Sequence, residues 1–469
     1  MIRLIVLFLI LLSNVAWSQD TNIVVILHTN DTHGSINNYS KVKFISDSIR
    51  SCYKDVFFVS AGDIFSGNPY VDKYYAKGFP IVYLMNNVGY NVSELGNHEF
   101  DYGQQILDKR IKQAKFDFLC SNINTKNTVI TQPKPYKIFT TNSGLNIFIL
   151  GVLQIGKNGL PDTHPEKIKN IEFTKPEKEI KKYKQYANTN NCFILLSHLG
   201  VKWDERVAKH FTFINTIIGG HSHTKIKNGE WIKKTFITQT GSRLQNLGVL
   251  KLVFVDKKLI SQTDSLINLN NYKNYDKSLA TKIKSFEKNK EFFKVVGKTD
   301  ITLTAPNELG YLMSLSQKQI TNADFAFQNT GGIRLDSIKA GDITKLDIYN
   351  LDPFNNEIYI YNLSLKQIKS FIRYAYGIRN KNNLIPAGLK INYIIKNNKL
   401  KEINITDTFG NPLSKSKKYK VAINSYMAGS YKFKGKKNFV KSGKTTNQAI
   451  FIFLKNTKTI TKETLNFKS

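Results

Sequence analysis

Short runs of β-branched and aromatic residues recur in the first half of the chain, separated by more polar segments of helical length. The runs are almost continuously apolar, which is typical of strands that are buried on both faces of a sheet. The clearest of them are 23–27, 56–59, 116–120, 147–150, 193–196 and 214–218. Several are followed at once by a polar cluster that contains glycine, and open α/β sheets bind ligands in the loops beyond their strand ends. The pattern up to about residue 255 therefore predicts an α/β fold with functional loops at one sheet edge.

The pattern changes after residue 270. Leu279, Ile283 and Phe286 are spaced along one face of a lysine-rich amphipathic helix, which we expect to connect two domains. Helical and strand-like stretches then alternate to the end of the chain, and 469 residues are enough for two hydrophobic cores. The predicted boundaries are 1–18 for an export signal, 19–268 for the first domain, 269–294 for the helical linker and 295–469 for a second α/β domain.

The first residues have the features of an export signal. Arg3 precedes an apolar run from Leu4 to Leu12, and Ala16 and Ser18 form a small-x-small cleavage pattern. Nine apolar residues are too few to span a bilayer, which takes roughly 20. An uncleaved N-terminal anchor is the alternative. We expect the mature protein to be soluble, without an integral membrane segment, and located in the periplasm or secreted.

Composition narrows the class of protein. A hydrophobic share of 41% and an aromatic share of 12% are those of a globular protein. The chain has 68 Lys and Arg against 35 Asp and Glu, and a net charge of +33 favours anionic ligands, nucleic acid or a membrane surface. Only eight of the basic residues are arginines, however, and they are scattered. A polyanion-binding protein would cluster them with stacking aromatics, so we expect no nucleic-acid partner.

Cysteine usage excludes two further kinds of site. Cys52, Cys120 and Cys192 are too few and too far apart for a disulfide framework, and no CxxC pair indicates thiolate-bound zinc. Because each lies beside an apolar run, we expect three buried free thiols.

The histidines are concentrated in short polar motifs. All eight lie between His28 and His223, and five fall in motifs that follow predicted strands or lie near them. Carboxylate, amide and imidazole ligands without thiolate suit Zn, Mn, Fe or Co in an open site. Seven candidate ligands are too many for one tetrahedral ion but suit two ions that share a carboxylate. These candidates are Asp31, His33, Asp63, Asn97, His198, His221 and His223.

A pair of metal ions suggests a reaction. Two ions about 3.5–4 Å apart form a clamp for phosphoester hydrolysis, in which a bound water is activated for in-line attack. The leaving oxygen then needs a proton, which an imidazole that is not a metal ligand can supply. His98 is the candidate, because its neighbour Asn97 is the more plausible ligand. Asp101, three residues further on, would orient the ring and raise its pKa.

These motifs resemble those of the calcineurin-like metallophosphoesterases, and more closely those of the exported 5'-nucleotidase and UDP-sugar hydrolase branch. The resemblance implies a two-sheet sandwich flanked by helices, followed by a C-terminal α/β nucleotidase-type domain that binds the substrate. It assigns Asp31, His33 and His223 to one metal. It assigns Asn97, His198 and His221 to the other, with Asp63 as the bridge. His98 and Asp101 match the family's catalytic dyad, and Asn97 is also expected to contact the substrate phosphate.

The second domain carries further parts of the resemblance. The segment 329–334 resembles the family's substrate segment, in which glycines allow close backbone approach and an arginine pairs with phosphate. Phe354 resembles the ring that stacks on the nucleobase, and Tyr426 is a candidate for the other half of an aromatic sandwich, although core packing would explain either ring equally well. The substrate candidates are Asn329, Gly331, Gly332, Arg334, Phe354 and Tyr426.

Two departures from the family pattern affect the expected specificity. The usual Gly-Gly-Asp-Gly turn, whose Asp contacts the ribose, reads Gly429-Ser430-Tyr431-Lys432 here, so we expect that contact to be lost. The arginines that family members carry before the segment 306–310 are also missing, which leaves Arg334 as the clear phosphate clamp.

The sequence thus predicts an exported dinuclear phosphohydrolase that releases phosphate from nucleotides by means of metal-activated water. Hydrolysis of 2',3'-cyclic nucleotides or UDP-sugars by the same site is an alternative, and a sulfur-cleaving branch shares the metal motifs. A polyanion-binding or nucleotide-binding protein without catalysis is the non-enzyme alternative. The expected partner is a small nucleotide, and the sequence leaves the oligomeric state open.

Overall fold

A computed structural model describes residues 21–465 of the chain, so the predicted export signal lies outside the described residues. The first half of the chain forms two six-stranded sheets. In spatial order, the first sheet consists of Lys258–Asn268, Asn246–Val255, Thr21–Thr29, Asp55–Ser60, Val92–Glu94 and Asp117–Leu119. The second consists of Glu230–Ile232, Thr235–Thr238, Thr216–Gly219, Cys192–His198, Asn146–Leu153 and Tyr136–Thr140.

Parallel pairing places the functional loops. Thr21–Thr29, Asp55–Ser60, Val92–Glu94 and Asp117–Leu119 run parallel in the first sheet. Asn146–Leu153, Cys192–His198, Thr216–Gly219 and Thr235–Thr238 do so in the second. Because parallel strands end at the same edge, the loops after them meet there. The six apolar runs identified in the sequence all fall in or overlap these strands.

The two sheets face one another across a buried apolar layer. Val24, Ile26, Ile149, Ile194 and Leu252 are among the fully buried side chains of this layer. Helices cover the outer faces and complete a sandwich in which each sheet is buried on both sides. The helices of this half are Tyr39–Cys52, Pro69–Asp72, Phe79–Val88, Gln104–Gln113, Pro176–Lys182, Tyr186–Thr189 and Val201–His210, with 3₁₀ turns at His98–Phe100 and Pro165–Ile168.

A helix at Lys277–Phe286 follows the sandwich. Asp276 caps its first turn, since its side chain accepts a hydrogen bond from the backbone of Leu279. Leu279, Ile283 and Phe286 are buried against the helix side of the first sheet.

The C-terminal half is a second α/β unit. Its five-stranded sheet has the order Leu384–Ala387, Phe325–Asn329, Lys418–Asn424, Glu357–Ser364 and Phe439–Thr445. Smaller sheets are formed by Gly341–Thr344, Val295–Thr299 and Thr459–Ile460, by Leu303–Thr304 and Ser337–Ile338, and by Leu389–Lys396 and Lys399–Asp407. The helices are Asn307–Thr321, Lys345–Leu351, Leu365–Arg379, Ser425–Ser430, Thr446–Thr457 and Lys462–Leu465, with 3₁₀ turns at Lys290–Phe293 and Thr330–Gly332. Capping boxes at Thr344, Ser364 and Thr445 fix where three of the helices begin.

The observed architecture confirms the predicted fold class and corrects one detail. Cys120 and Cys192 are buried, but Cys52 is exposed. Cys52 ends the helix Tyr39–Cys52, beyond its buried residues, so the neighbouring apolar run does not cover it. Within residues 21–465, no helix combines the length and the apolar character needed to cross a membrane.

Candidate active site

Five loops converge where parallel strands of the two sheets end. Each loop follows a strand or, for His198, includes its last residue. Five of the seven candidate ligands adopt a positive φ, a conformation that costs free energy for residues other than glycine and persists only when the surroundings enforce it. The values are 49° for Asp31, 47° for His33, 54° for Asp63, 71° for His221 and 56° for His223. Such a concentration of strained polar residues marks this edge as a functional site.

One group of donors consists of Asp31, His33 and His223. Their ligand atoms all lie within 4.8 Å of one another. The Nε2 atoms of the two imidazoles are 3.0 Å apart, and Nε2 of His223 is 3.4 Å from an oxygen of Asp31. Burial, followed by the positive charge of Arg334, lowers the pKa of His33 well below its usual value, so this ring is neutral. A neutral imidazole and a carboxylate that face one point are suited to a divalent cation.

A second group contains Asp63, His198 and His221, again within 4.8 Å. Nδ1 of His198 donates a 2.7 Å hydrogen bond to the carbonyl of Ala61, which turns Nε2 toward Asp63 at 3.1 Å. This Nε2 is fully buried and makes no hydrogen bond to any residue in the described part of the chain. Oδ1 of Asn97 lies 3.0 Å from Nδ1 of His221 and extends the group to four donors. A buried nitrogen aimed at a carboxylate without a hydrogen bond fits a metal ligand.

Asp63 lies between these groups. It also forms a third donor set with His33 and His98. Although burial acts to raise it, the pKa of Asp63 is held well below its ordinary value by His198 and His98. Burial opposes the charged form of His198 in turn, but Asp63 outweighs it and raises the pKa of His198 to about 10. A cation held here would compete with this proton, so its affinity would fall at acid pH.

His98 and Asp101 lie on the 3₁₀ turn beside Asp63. Nδ1 of His98 is 2.6 Å from Oδ2 of Asp101, and the backbone N–H of His98 donates to Asp63 at 2.8 Å. Burial acts against the charged imidazole, but Asp101 and Asp63 outweigh it and raise the pKa of His98. With Nδ1 held by Asp101, Nε2 is left to exchange a proton with a bound molecule.

The C-terminal half closes this edge into a cavity of about 650 Å³, which the candidate substrate residues line. Nη2 of Arg334 lies 3.3 Å from Nε2 of His33, and its guanidinium is 5.8 Å from the ring centre of Phe354. Asn329 is buried and accepts a hydrogen bond from Asn424. The 3₁₀ turn Thr330–Gly332 brings Gly331 and Gly332 to the cavity wall.

The two candidate aromatic residues of the cavity each contact another ring. Phe354 stacks on His98, with ring centres 5.7 Å apart and an interplanar angle of 19°. Tyr426 lies edge-on to Tyr431, at 6.4 Å between ring centres. Among the described ring contacts, none joins Phe354 to Tyr426, although both line the cavity. Two rings that hold a base between them do not touch each other, so the stacking role of Phe354 and Tyr426 stays a prediction.

Family models match both halves of the chain. A model of calcineurin-like phosphoesterases matches residues 24–225, and a model of the 5'-nucleotidase C-terminal domain matches residues 293–437. The chain thus combines a calcineurin-like phosphoesterase domain with a 5'-nucleotidase C-terminal domain. It is therefore a metal-dependent phosphoester hydrolase.

Individual relatives agree with this family. The chain is 25% identical to the trifunctional nucleotide phosphoesterase YfkN of Bacillus subtilis over 86% of its own length, but it spans only 32% of that protein. It is 27% identical to a 5'-nucleotidase of Vibrio cholerae, over 76% of each chain. The crystal structure of the 5'-nucleotidase precursor from Thermus thermophilus has a TM-score of 0.81 at 21% identity and covers 94% of this chain and 97% of its own.

Sequence reasoning did not assign a role to Glu99 in this phosphoesterase. Its carboxylate accepts the backbone N–H groups of Asp63 at 3.0 Å, Ile64 at 2.6 Å and Gly96. Burial, followed by the nearby Asp63, raises the pKa of Glu99 to about 7. Glu99 thus ties the Asp63 loop to the loop that carries His98. Its place in the Gly96-Asn97-His98-Glu99 motif was a signal that could have identified it.

Asn30 and Gln239 hold other ligand loops. Nδ2 of Asn30 donates to Asp31 at 2.6 Å and to the carbonyl of Gly241 at 2.7 Å. Gln239 donates to the carbonyl of Gly220 at 2.9 Å and accepts from Ser222 at 2.9 Å, which braces the turn that carries two histidines. Asn30 directly precedes a motif and could have been suspected. Gln239 follows an apolar strand with nothing in its surroundings that points to a role.

Proposed function

We propose that this chain is an exported, dinuclear metal-dependent phosphohydrolase that releases phosphate from nucleotides, as a 5'-nucleotidase does. The observation that carries the proposal is that Asp63 groups with His198 and His221 and also with His33, a member of the other donor group, beside the hydrogen-bonded pair of His98 and Asp101. Two donor groups that share a carboxylate are the arrangement of a two-metal phosphoesterase.

The residues present suit such a metal pair. Asp31, His33 and His223 would hold one ion, and Asn97, His198 and His221 the other, with Asp63 between them. The imidazole, carboxylate and amide donors suit Zn, Mn, Co or Fe, and the unsatisfied Nε2 of His198 supports the fit. When bound, the ions supply the Lewis acidity that neutralises charge on the phosphoryl oxygens and activates water.

His98 and Arg334 carry the remaining chemistry. His98 gives its Nε2 proton to the leaving oxygen, while Asp101 holds Nδ1–H and stabilises the charged ring. Arg334 reaches the histidine face of the cavity, where its guanidinium pairs with phosphate oxygens. His98 contacts Asp63, and Arg334 contacts His33 in the same donor set. The proton donor and the guanidinium can therefore reach the same phosphoryl group.

A nucleotide is the proposed substrate. Phe354 and Tyr426 give the cavity aromatic surface on the C-terminal side, where a base can lie against a ring. The family includes a protein named as a trifunctional nucleotide phosphoesterase and others named as 5'-nucleotidases. Cyclic nucleotides and UDP-sugars would meet the same metal ligands and the same dyad, and the substrate panel below separates them.

We further propose the domain boundaries derived from the sequence: an export signal at 1–18, a catalytic domain at 19–268, a helical linker at 269–294 and a substrate domain at 295–469. The helix Lys277–Phe286 packs on the first domain just before the strands of the second begin, which supports a linker there. The charged, apolar and small-residue regions of residues 1–18 support export to the periplasm or beyond.

Metal removal combined with a substrate panel tests the proposal. The purified protein is treated with chelator and checked for retained secondary structure. Chromatography of the products then measures hydrolysis of nucleoside monophosphates, 2',3'-cyclic nucleotides, UDP-glucose and 4-nitrophenyl phosphate. Activity should vanish on chelation and return with Mn²⁺, Co²⁺ or Zn²⁺, with monophosphates as the best substrates. Hydrolysis that survives complete metal removal would overturn the metal mechanism, and release from aryl phosphates alone would overturn the nucleotide assignment.

A further inference from the structure

A short turn at residues 161–163 lies against the dyad at the cavity wall. The backbone N–H of Thr163 donates to the carbonyl of Pro161 at 2.7 Å, which closes a three-residue turn. His164 is extended, at φ −68° and ψ 122°, as a residue before proline must be, and Pro165 begins a 3₁₀ helix. Two prolines four residues apart leave the backbone between them little conformational freedom.

The side chain of Thr163 contacts the dyad. Its hydroxyl donates to Oδ1 of Asp101 at 3.2 Å, and Thr163 is only 3% exposed. The other oxygen of the same carboxylate pairs with Nδ1 of His98 at 2.6 Å. With one oxygen held on each side, the carboxylate cannot rotate about its χ2 bond without breaking a hydrogen bond. Thr163 therefore fixes the plane in which Asp101 meets the imidazole.

The same turn also orients a candidate metal ligand. The carbonyl of Asp162 accepts a 3.0 Å hydrogen bond from Nδ2 of Asn97. This contact directs the opposite atom, Oδ1, toward Nδ1 of His221 at 3.0 Å. The contact is made by the backbone, since the side chain of Asp162 is exposed. One turn thus fixes both the proton donor and the amide ligand.

We propose that Thr163 is a positioning residue for the dyad, and that its hydroxyl keeps Asp101 aligned so that His98 can protonate the leaving oxygen. The proposal rests on the proposed function. Small displacements of a proton donor lower rates steeply, and loss of a supporting hydrogen bond costs about 10- to 100-fold in comparable sites. The effect should appear only where the leaving group needs a proton.

Leaving-group dependence provides the test. Thr163→Val keeps the shape of the side chain and removes the hydroxyl, and Thr163→Ser restores the hydroxyl. On a nucleoside monophosphate, Thr163→Val should lower kcat about 10- to 100-fold with little change in KM, and Thr163→Ser should retain most of the activity. On 4-nitrophenyl phosphate, whose phenolate leaves without protonation, the kcat of Thr163→Val should match wild type. Equal losses on both substrates, or none on the nucleotide, would overturn the proposal.

Two controls keep the result interpretable. Thr235→Val removes the hydroxyl of another buried threonine, which donates to the carbonyl of Ile214 away from the cavity, and should leave both activities unchanged. In an Asp101→Asn background, Thr163→Val should have almost no further effect, because it acts through Asp101. If Thr163→Val does not fold, the same cycle with Thr163→Ala decides the question, and full additivity with Asp101→Asn would refute the role.

The two proposals fail in different ways. If the wild-type protein, supplied with metal, hydrolyses neither substrate, the proposed function is wrong. If it hydrolyses both and the threonine variants do not discriminate between them, only the role of Thr163 is wrong.

Discussion

The two walls of the cavity are built differently. On the sandwich side, Asp31, Asp63, Asn97 and His198 are at most 3% exposed, and buried hydrogen-bond partners hold the loops that carry them. On the C-terminal side, Arg334, Phe354 and Tyr426 come from three separate segments and are only partly buried. Buried groups on strained, hydrogen-bonded loops readjust less easily than partly buried rings. The difference indicates that the sandwich fixes the chemistry and the C-terminal wall adapts to the substrate.

The largest effect on activity is expected from a substitution of Asp63 on the sandwich wall. Asp63→Asn removes the charge that we propose the two metal ions share, and we expect a loss of at least about 10³-fold in kcat/KM, since metal-ion catalysis supplies several kcal/mol. Phosphate release and metal content by mass spectrometry check this. Asp47→Asn, on an exposed helix position, is the matched control and should behave as wild type. An Asp63→Asn variant with full metal content and full activity would refute the shared-ligand assignment.

His98 comes next. His98→Gln should lower kcat about 10²- to 10⁴-fold, the range for loss of a general acid, while the bound metal stays at the wild-type level. His210→Gln changes an exposed histidine at a helix end and serves as the control. Loss of metal together with activity would instead indicate that His98 is a metal ligand. The measurement is needed because the ligand atoms of His98, His33 and Asp63 lie within 4.8 Å of one another.

The sandwich wall was largely predictable from the sequence, because its signals are local. Apolar runs gave the strands, and short motifs directly after them gave the candidate donors, since parallel strands end at one edge. The roles of Gln239 and Thr163 could not be predicted, because each depends on a hydrogen bond to a different segment of the chain. Gln239 bonds to Ser222, and Thr163 bonds to Asp101. No spacing rule relates such residues to the loops that they hold.

The C-terminal wall was less predictable for a related reason. The residue types that line the cavity could be named, but the contact of Phe354 with His98 could not, because it depends on how two halves of the chain meet. Long-range packing of this kind leaves no periodic pattern in the sequence. Cys52 shows the same limit on a smaller scale, since its exposure follows from its position at the end of a helix.

A smaller effect is expected at the adaptable wall. Phe354→Ala should raise the KM for nucleotides by roughly 5- to 150-fold, as expected for a base–aromatic contact of about 1–3 kcal/mol, and should spare 4-nitrophenyl phosphate. Phe409→Ala, at a ring that is 89% exposed in the same half of the chain, should change neither substrate. If Phe354→Ala impairs both substrates equally, the ring serves to pack His98 and the division between the two walls is weaker than proposed.

The smallest expected effect is on stability, and it concerns Asp352, which holds the loop that carries Phe354. Asp352 is buried, accepts hydrogen bonds from Thr446 and from the backbone of Asn355, and burial raises its pKa from 3.8 to about 6. Between about pH 4 and 6 the unfolded chain loses this proton while the folded protein keeps it. The contribution of Asp352 to stability is therefore complete below pH 4 and declines as the pH rises through 6.

Urea unfolding of wild type and Asp352→Asn from pH 4 to 7 tests this. The free energy of unfolding of wild type, relative to the variant, should fall between about pH 4 and 6 and then level off. Asp336→Asn, at an exposed position, should show no such trend. A difference that is constant with pH would mean that Asp352 ionises equally in both states. Burial of Asp352 would then have no effect on its ionisation in the folded protein. The C-terminal wall would differ from the sandwich wall, where burial and neighbouring charges shift the pKa values of Asp63 and His198.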